Sequence, residues 1–527
     1  MKRFISFVLI LILALAAVGC TGKPDPEANA TEAPATEPAD SEAPAGTPEA
    51  TEKPAETGEP AGPTAEAAEP TPVPTAMPER PGENPDLPKV IAGEDLFFIA
   101  MPDGALYGWG NNEYGKLGVG DAESRKKPVL VANGLVPVIV GETVFALSSD
   151  NVLWGWGRND LGQLGLGDTE NRTRPEELMH FVKAVVKGAH SFYALTESGE
   201  VYEWGLDPVF YSEEVDLSVI AEPVLILENV ALCDGEYAIK QNGELWRSWG
   251  YEWRLVTSGV RNVWHSGDTV AVEAEDGCLY AIGSRDAVFF EKDPERALVA
   301  ESFRSVTVSD GYIWVLSNDG SLYYYKANYS SLIPIEVETG FDTLTFVMNG
   351  VVEFAADTYL DEDWGYDYKF ALKANGELWA WGEYPEPVLG KTQMSDPTVP
   401  ECVAHGVRSF VSTGAQTYII AEDGSVWATG LGSEEGYVFG GLGDGTDATR
   451  YGFVYLGIEG FCTVTCRMDN DIIENEAGDT GNRICCRTFA VDAEGGIYAW
   501  GWNGDGLLGV GADEEIVLSP VKIEPMR

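Results

Sequence analysis

The chain has 527 residues, and its 34 Lys+Arg against 85 Asp+Glu give a formal charge of −51. Such a field repels phosphate backbones and anionic lipid headgroups, which argues against a nucleic-acid partner. Hydrophobic residues make up 44% and aromatics 11%, enough for a large core, while 60 glycines point to many turns rather than long helices, so an all-β protein is expected.

Lys2 and Arg3 precede an apolar run from Phe4 to Val18, shorter than the roughly twenty residues a membrane span needs, so residues 1–20 read as a signal peptide. The run closes on Leu15-Ala16-Ala17-Val18-Gly19-Cys20. Small residues before a cysteine resemble the lipobox of bacterial lipoproteins, in which that cysteine is acylated and becomes the first residue of the mature chain. Ala17 stands where that motif usually has leucine. The resemblance implies lipidation at Cys20, with the lipid as the membrane anchor. Residues 21–88 are nearly all Thr, Pro, Glu, Ala and Gly, too poor in large apolar side chains to offset the entropy of ordering, and read as a disordered tether. With 15 acidic and 3 basic residues in the tether, the chain beyond it still carries about −41.

From Lys89 to the C-terminus one pattern recurs: an apolar strand, a turn pair of the Asp-Gly or Asn-Gly kind, then a second strand with an aromatic three positions beyond the glycine. Such pairs between apolar runs are a strong hairpin signal, here read as type I′ turns with positive φ at both positions. Nine pairs begin at Asp103, Asp150, Ser198, Asn242, Asp276, Asp319, Asn375, Asp423 and Glu494. The nine aromatics are Tyr107, Trp154, Tyr202, Trp246, Tyr280, Tyr323, Trp379, Trp427 and Tyr498. Further strands fit between hairpins, such as Pro128–Val131, Val136–Val140, Glu252–Val256 and Val260–His265. A unit is therefore four strands and about 49 residues, the size of a propeller blade. An all-β propeller of nine units over residues 89–527 is expected, with seven or eight blades plus an insertion as the alternative. The aromatics are expected to pack between blades.

Trp109-Gly110-Asn111-Asn112-Glu113-Tyr114-Gly115-Lys116-Leu117-Gly118-Val119-Gly120 and the run from Trp156 to Gly167 resemble the signature of the regulator of chromosome condensation repeat family. Trp500 to Gly511 is a looser third copy, and Gly188 to Leu195 is similar to the family's strand before the turn. Middle copies depart from it, with Tyr325-Lys326 in place of Trp-Gly and Ile282-Gly283 without tryptophan. Because the clearest copies lie at both ends of the chain, they are expected to mark the closure of the ring. The family's nuclear members exchange guanine nucleotides on a small GTPase and touch chromatin, a use the signal peptide argues against. The family's fold is similar to that of the secreted type II beta-lactamase inhibitor protein. That resemblance implies a non-enzymatic module binding an extracellular or envelope protein, with a carbohydrate or cell-wall lectin as the alternative and a hydrolase behind both.

Enzyme signals are weak. His180, His190, His265 and His405 are scattered without metal-ligand spacing, and Ser124-Arg125-Lys126-Lys127 matches S-x-x-K without partner motifs. The Gly-rich loops lack the helix and Lys-Ser/Thr pair of a phosphate loop. Two units carry acidic insertions: Asp357, Asp361, Glu362, Asp363 and Asp367 in one, Asp469, Asp471, Glu474, Glu476 and Asp479 in the other. They suit a basic protein partner or, as oxygen ligands, calcium, which would be the one cofactor. Cys466 is expected to face Cys485 or Cys486 across a hairpin, where export would permit a disulfide. The expected product is a monomeric lipoprotein at the bacterial cell surface.

Overall fold

The computed structural model describes residues 85–524 except 189–190, 206–220, 250–251, 268, 284–295, 310, 327–343, 361–364, 385–386, 392–395, 434–437 and 475–479. Nine antiparallel sheets follow one another along the chain and close into a nine-bladed propeller. The blades are residues 89–133, 135–179, 182–227, 230–257, 260–300, 305–348, 351–404, 407–455 and 461–522, numbered 1 to 9. Each is a four-stranded meander, and blade 9 gains a short extra strand from blade 8. All nine units thus form blades, and the alternative of seven or eight is set aside.

The hairpin pairs join the second and third strands, but not as type I′ turns. Only the second residue of each pair has positive φ, as at Gly104 (89°), Gly277 (82°) and Gly424 (80°), with Asn151 (61°) in the glycine's place in blade 2. Gly104 N–H donates to Met101 O at 2.9 Å and Met101 N–H to Ala105 O at 2.8 Å, which is a type I turn followed by a one-residue bulge on the glycine. The preceding Asp or Asn is chosen for its side chain. Asp103, Asp276, Asp319 and Asp423 each accept from the amide two residues on, at 2.9–3.0 Å, a local bond that fixes the turn.

The core lies between blades, and the most completely sealed rings are not the nine repeat aromatics. Those are half-buried and sit near the turn, opposite residues of the outermost strand such as Leu130, Leu255 and Phe346. Several, including Tyr107, Trp154 and Trp427, still touch the core shared with the preceding blade. The tryptophan two positions further on closes the interface: Trp109, Trp156, Trp204 and Trp500 are at most 1% exposed. Trp156 Nε1 donates to Lys116 O of blade 1 and Trp204 Nε1 to Gln163 O of blade 2, both at 2.9 Å.

These contacts explain the third glycine of the signature. A Cβ on Gly118 would lie 2.9 Å from the Trp156 ring nitrogen, and one on Gly165 2.8 Å from the Trp204 ring. The loop must therefore let backbone approach the next blade's indole. The ring closes by the same device, as the terminal signatures suggested. Trp109 Nε1 of blade 1 donates to Leu507 O of blade 9 at 2.9 Å, and Phe97 stacks on Trp109 and meets Phe489 at 5.2 Å.

Candidate functional site

In a four-stranded meander the first-to-second and third-to-fourth connections share one rim, and the second-to-third turns occupy the other. Both acidic insertions lengthen a first hairpin. In blade 7 this is Val351–Leu360 with Gly365–Lys373, and in blade 9 Phe461–Glu474 with Thr480–Asp492. First strands of the other blades have four to seven residues. Both long hairpins therefore extend from the rim that carries the Gly-rich loops, with blade 8 between them. The third-to-fourth connection of blade 8 sends Val438–Phe439 onto the second strand of blade 9, parallel, with Phe439 opposite Cys485.

The hairpins place the acidic residues as follows. Asp357 pairs in register with Tyr368, Asp469 with Cys485, Asp471 with Arg483 and Glu474 with Thr480. Asp367 forms an ion pair with Lys369. Asp361, Glu362, Asp363, Glu476 and Asp479 lie outside the described residues, as do Cys20 and His190. Among the described residues no three His, Cys, Asp or Glu side chains gather as a metal-binding group.

The expected cysteine pairing is corrected. Cys466 stands opposite Thr488, while Cys486 faces Met468 and Cys485 faces Asp469. Register is fixed lower in the blade, where Phe489 and Val491 must point inward. That leaves Cys486 diagonal to Cys466, about 7–8 Å away by sheet geometry and beyond disulfide reach without backbone movement. The Cys466 thiol instead accepts from Thr488 Oγ1 at 3.4 Å and donates to Gln416 Oε1 at 3.9 Å.

The Gly-rich loops are filled from within. Buried Asn112 accepts from Leu117 N–H at 2.8 Å and donates through Nδ2 to Asp121 O and Glu123 O, both at 3.0 Å. Asn159 and Asn503 repeat this with Leu164 and Leu508. Each amide spans the loop and takes up the leucine N–H that a phosphate would otherwise need. Arg172 holds the Asp168 carboxyl below its ordinary range through a 2.6 Å contact, against a smaller push from burial. Sequence reading passed over one such loop. Gly440-Gly441-Leu442-Gly443-Asp444-Gly445 parallels Gly115 to Gly120, and Gly443 packs on Trp500 with only 2.7 Å for a Cβ. Residues 431–439, inserted after the third strand, separate it from its expected position.

The three described histidines lie apart from one another. His180 pairs with Glu177 at 2.7 Å, His405 lies 3.8 Å from the Cys402 thiol, and His265 bridges two blades. Ser124 Oγ accepts from the Asn112 amide at 3.2 Å, a loop contact rather than a nucleophile's setting.

The regulator of chromosome condensation (RCC1) repeat model matches residues 103–140, 150–192 and 494–527. The chain is similar to the ultraviolet-B receptor UVR8 of Arabidopsis thaliana, 28% identical over 31% of this chain and 33% of the receptor. It is also similar to the E3 ubiquitin-protein ligase HERC2 of Mus musculus, 35% identical over 29% of this chain and 3% of the ligase. The chain thus spans a third or less of these relatives. Among solved structures, Prp20p of Saccharomyces cerevisiae, described with its binding to Gsp1p and histones, has a TM-score of 0.37 and 15% identity, covering 74% of this chain and 92% of that one. A propeller of this kind fits a protein-binding module. Three segments of the nine-bladed ring, residues 103–140, 150–192 and 494–527, are thus repeats of the regulator of chromosome condensation (RCC1) kind.

Proposed function

We propose that this protein is a non-enzymatic binding module, exported and held at the cell surface by lipid on Cys20. Its rim with the lengthened hairpins of blades 7 and 9 takes a cationic envelope or extracellular protein. The observation that carries this reading is that the two longest hairpins, both acidic, extend from one rim on either side of blade 8. Binding residues concentrate on loops held by a rigid scaffold, and exposed charge speeds association more than it deepens affinity. The half-buried repeat aromatics speak against a lectin. Lys240 lies over the Trp246 ring at 4.5 Å and Lys373 over Trp379 at 4.3 Å, covering ring faces on which a sugar would stack.

The test compares wild type with a variant carrying Asp361→Asn, Asp363→Asn, Asp469→Asn and Asp471→Asn in quantitative pull-downs from envelope extract. Partners lost from the variant and lost from wild type at high salt support the reading, because screening acts within roughly 10 Å at 0.1 M. Identical recovery with both proteins at both salt levels contradicts it. Calcium binding at the same hairpins would instead raise the melting temperature of wild type alone on adding calcium.

A further inference from the structure

Where tryptophan brackets join blades 9 to 1, 1 to 2 and 2 to 3, the junction of blades 4 and 5 is built differently. Ile282 of blade 5 stands where those blades carry tryptophan. In its place His265, at the end of the first strand Val260–Ser266, reaches the first turn of blade 4. Its Nε2 lies 3.1 Å from Asp234 Oδ2 and its Nδ1 3.4 Å from Glu236 Oε2. Its ring packs on the buried Tyr237, with centroids 4.8 Å apart.

The turn is rigid on its own account. Asp234 Oδ1 accepts from the amides of Glu236 at 3.0 Å and Tyr237 at 2.6 Å, leaving Oδ2 aimed at the next blade. Among the described residues, the charged groups facing the imidazole are Asp234, Glu236 and, from the third strand of blade 4, Arg247, which pairs with Glu236 Oε1 at 2.7 Å. Tyr237 is the other titratable neighbour, and burial pushes the Cys233 thiol beside Asp234 up to about 12, so it stays neutral.

A neutral imidazole donates from one nitrogen only, so one carboxylate would then face a lone pair. A charged imidazole donates from both and matches both carboxylates. We propose that Asp234, His265 and Glu236 form a proton-operated clasp between blades 4 and 5, closed while His265 is charged and loosened when it is neutral. The bond to Asp234 raises the affinity of His265 for its proton, opposed by burial, and Glu236 adds to the rise while Arg247 reduces it. The sign follows. A raised folded-state value means the clasp's contribution is complete below the ordinary histidine value of about 6.5 and is lost as pH rises through the raised value. This inference is independent of what the acidic rim binds.

Hydrogen exchange on the full chain tests it, with rates corrected for the intrinsic pH dependence. Protection of the amides in Val260–Ser266 should fall between pH 6 and 8.5 by up to tenfold per pH unit, the limit for one linked proton. Protection in Thr143–Ser148, beside the Trp156 bracket, should stay level, and the fall should vanish in His265→Gln. A direct titration by NMR needs no variant: His265 should titrate above 6.5 in wild type and move down in Asp234→Asn. Equal pH dependence in wild type and His265→Gln overturns the clasp, and so does a wild-type His265 that titrates at or below 6.5.

Discussion

Replacing Trp156 separates the two ways in which a blade interface is held. The ring is fully buried, and its Nε1 donates at 2.9 Å to the carbonyl of Lys116 on the preceding blade. Trp156→Phe keeps most of the apolar contact but strands that carbonyl, which costs about 1–3 kcal/mol. The smaller ring adds a cavity beside Gly118. Trp156→Ala loses the ring as well, for roughly 3–5 kcal/mol before the carbonyl is counted. Trp154, on the same strand but half-buried, should cost less than half as much when cut to Ala, since less apolar area is lost. Urea unfolding followed by circular dichroism and by tryptophan fluorescence measures these differences where the two transitions coincide. A Trp156→Phe variant within about 0.5 kcal/mol of wild type, or a Trp154→Ala variant more damaging than Trp156→Ala, would refute the bracket; the 0.5 is the scatter of ordinary surface substitutions.

Cys20→Ala should release the protein into the medium or leave it unprocessed, because acyl chains contribute about 0.8 kcal/mol per buried CH₂ and are the anchor proposed here; fractionation of cells reads this, and a processed variant still on the membrane contradicts it. A fragment beginning at Pro88 should be soluble, β-rich by circular dichroism and cooperative on melting, since the ring's first strand starts at Lys89 and the bond from Trp109 to Leu507 that closes the seam lies within the fragment; an insoluble or molten product contradicts this. Asp121, Asp160 and Asp168 are held below the ordinary carboxylate range, Asp160 chiefly by Arg158 and Asp168 chiefly by Arg172, while at Asp121 the amide of Glu123 leads and Arg125 adds. Their contribution is present above an unfolded value near 3.9 and disappears as pH falls through the lower folded values, so Arg172→Gln should destabilise the protein at neutral pH and narrow its gap to wild type in acid. An equal gap at both pH values contradicts the pairing.

The blade count was legible because the units repeat a turn whose chemistry is local: in six of the nine a carboxylate or amide oxygen accepts from the amide two residues on and is followed by a glycine. The turn type was not, since Asp-Gly serves both a type I′ turn and a type I turn with a bulge, and only the backbone angles separate them. Trp156 stood in the signature, yet its role needed the preceding blade's loop, forty residues upstream. The insertion at 431–439 hid the loop of blade 8 from any fixed spacing. His265 could not be paired from sequence, because Asp234 lies thirty-one positions away on another blade with no motif between them. The cysteine register likewise depended on a bulge between Phe461 and Thr463 that no residue announces.

Zero-length carboxylate-to-lysine cross-linking on intact cells, read by mass spectrometry, addresses the proposed rim most directly, because both rims of the ring carry carboxylates. If the lengthened hairpins receive a cationic partner, its lysines should couple to residues within 351–373 and 461–492. Those links should fade with salt and in the variant with Asp361, Asp363, Asp469 and Asp471 changed to Asn. Links that fall instead on the opposite rim, at Asp103, Asp150, Asp276 and Asp319, and survive both salt and the variant would contradict the account.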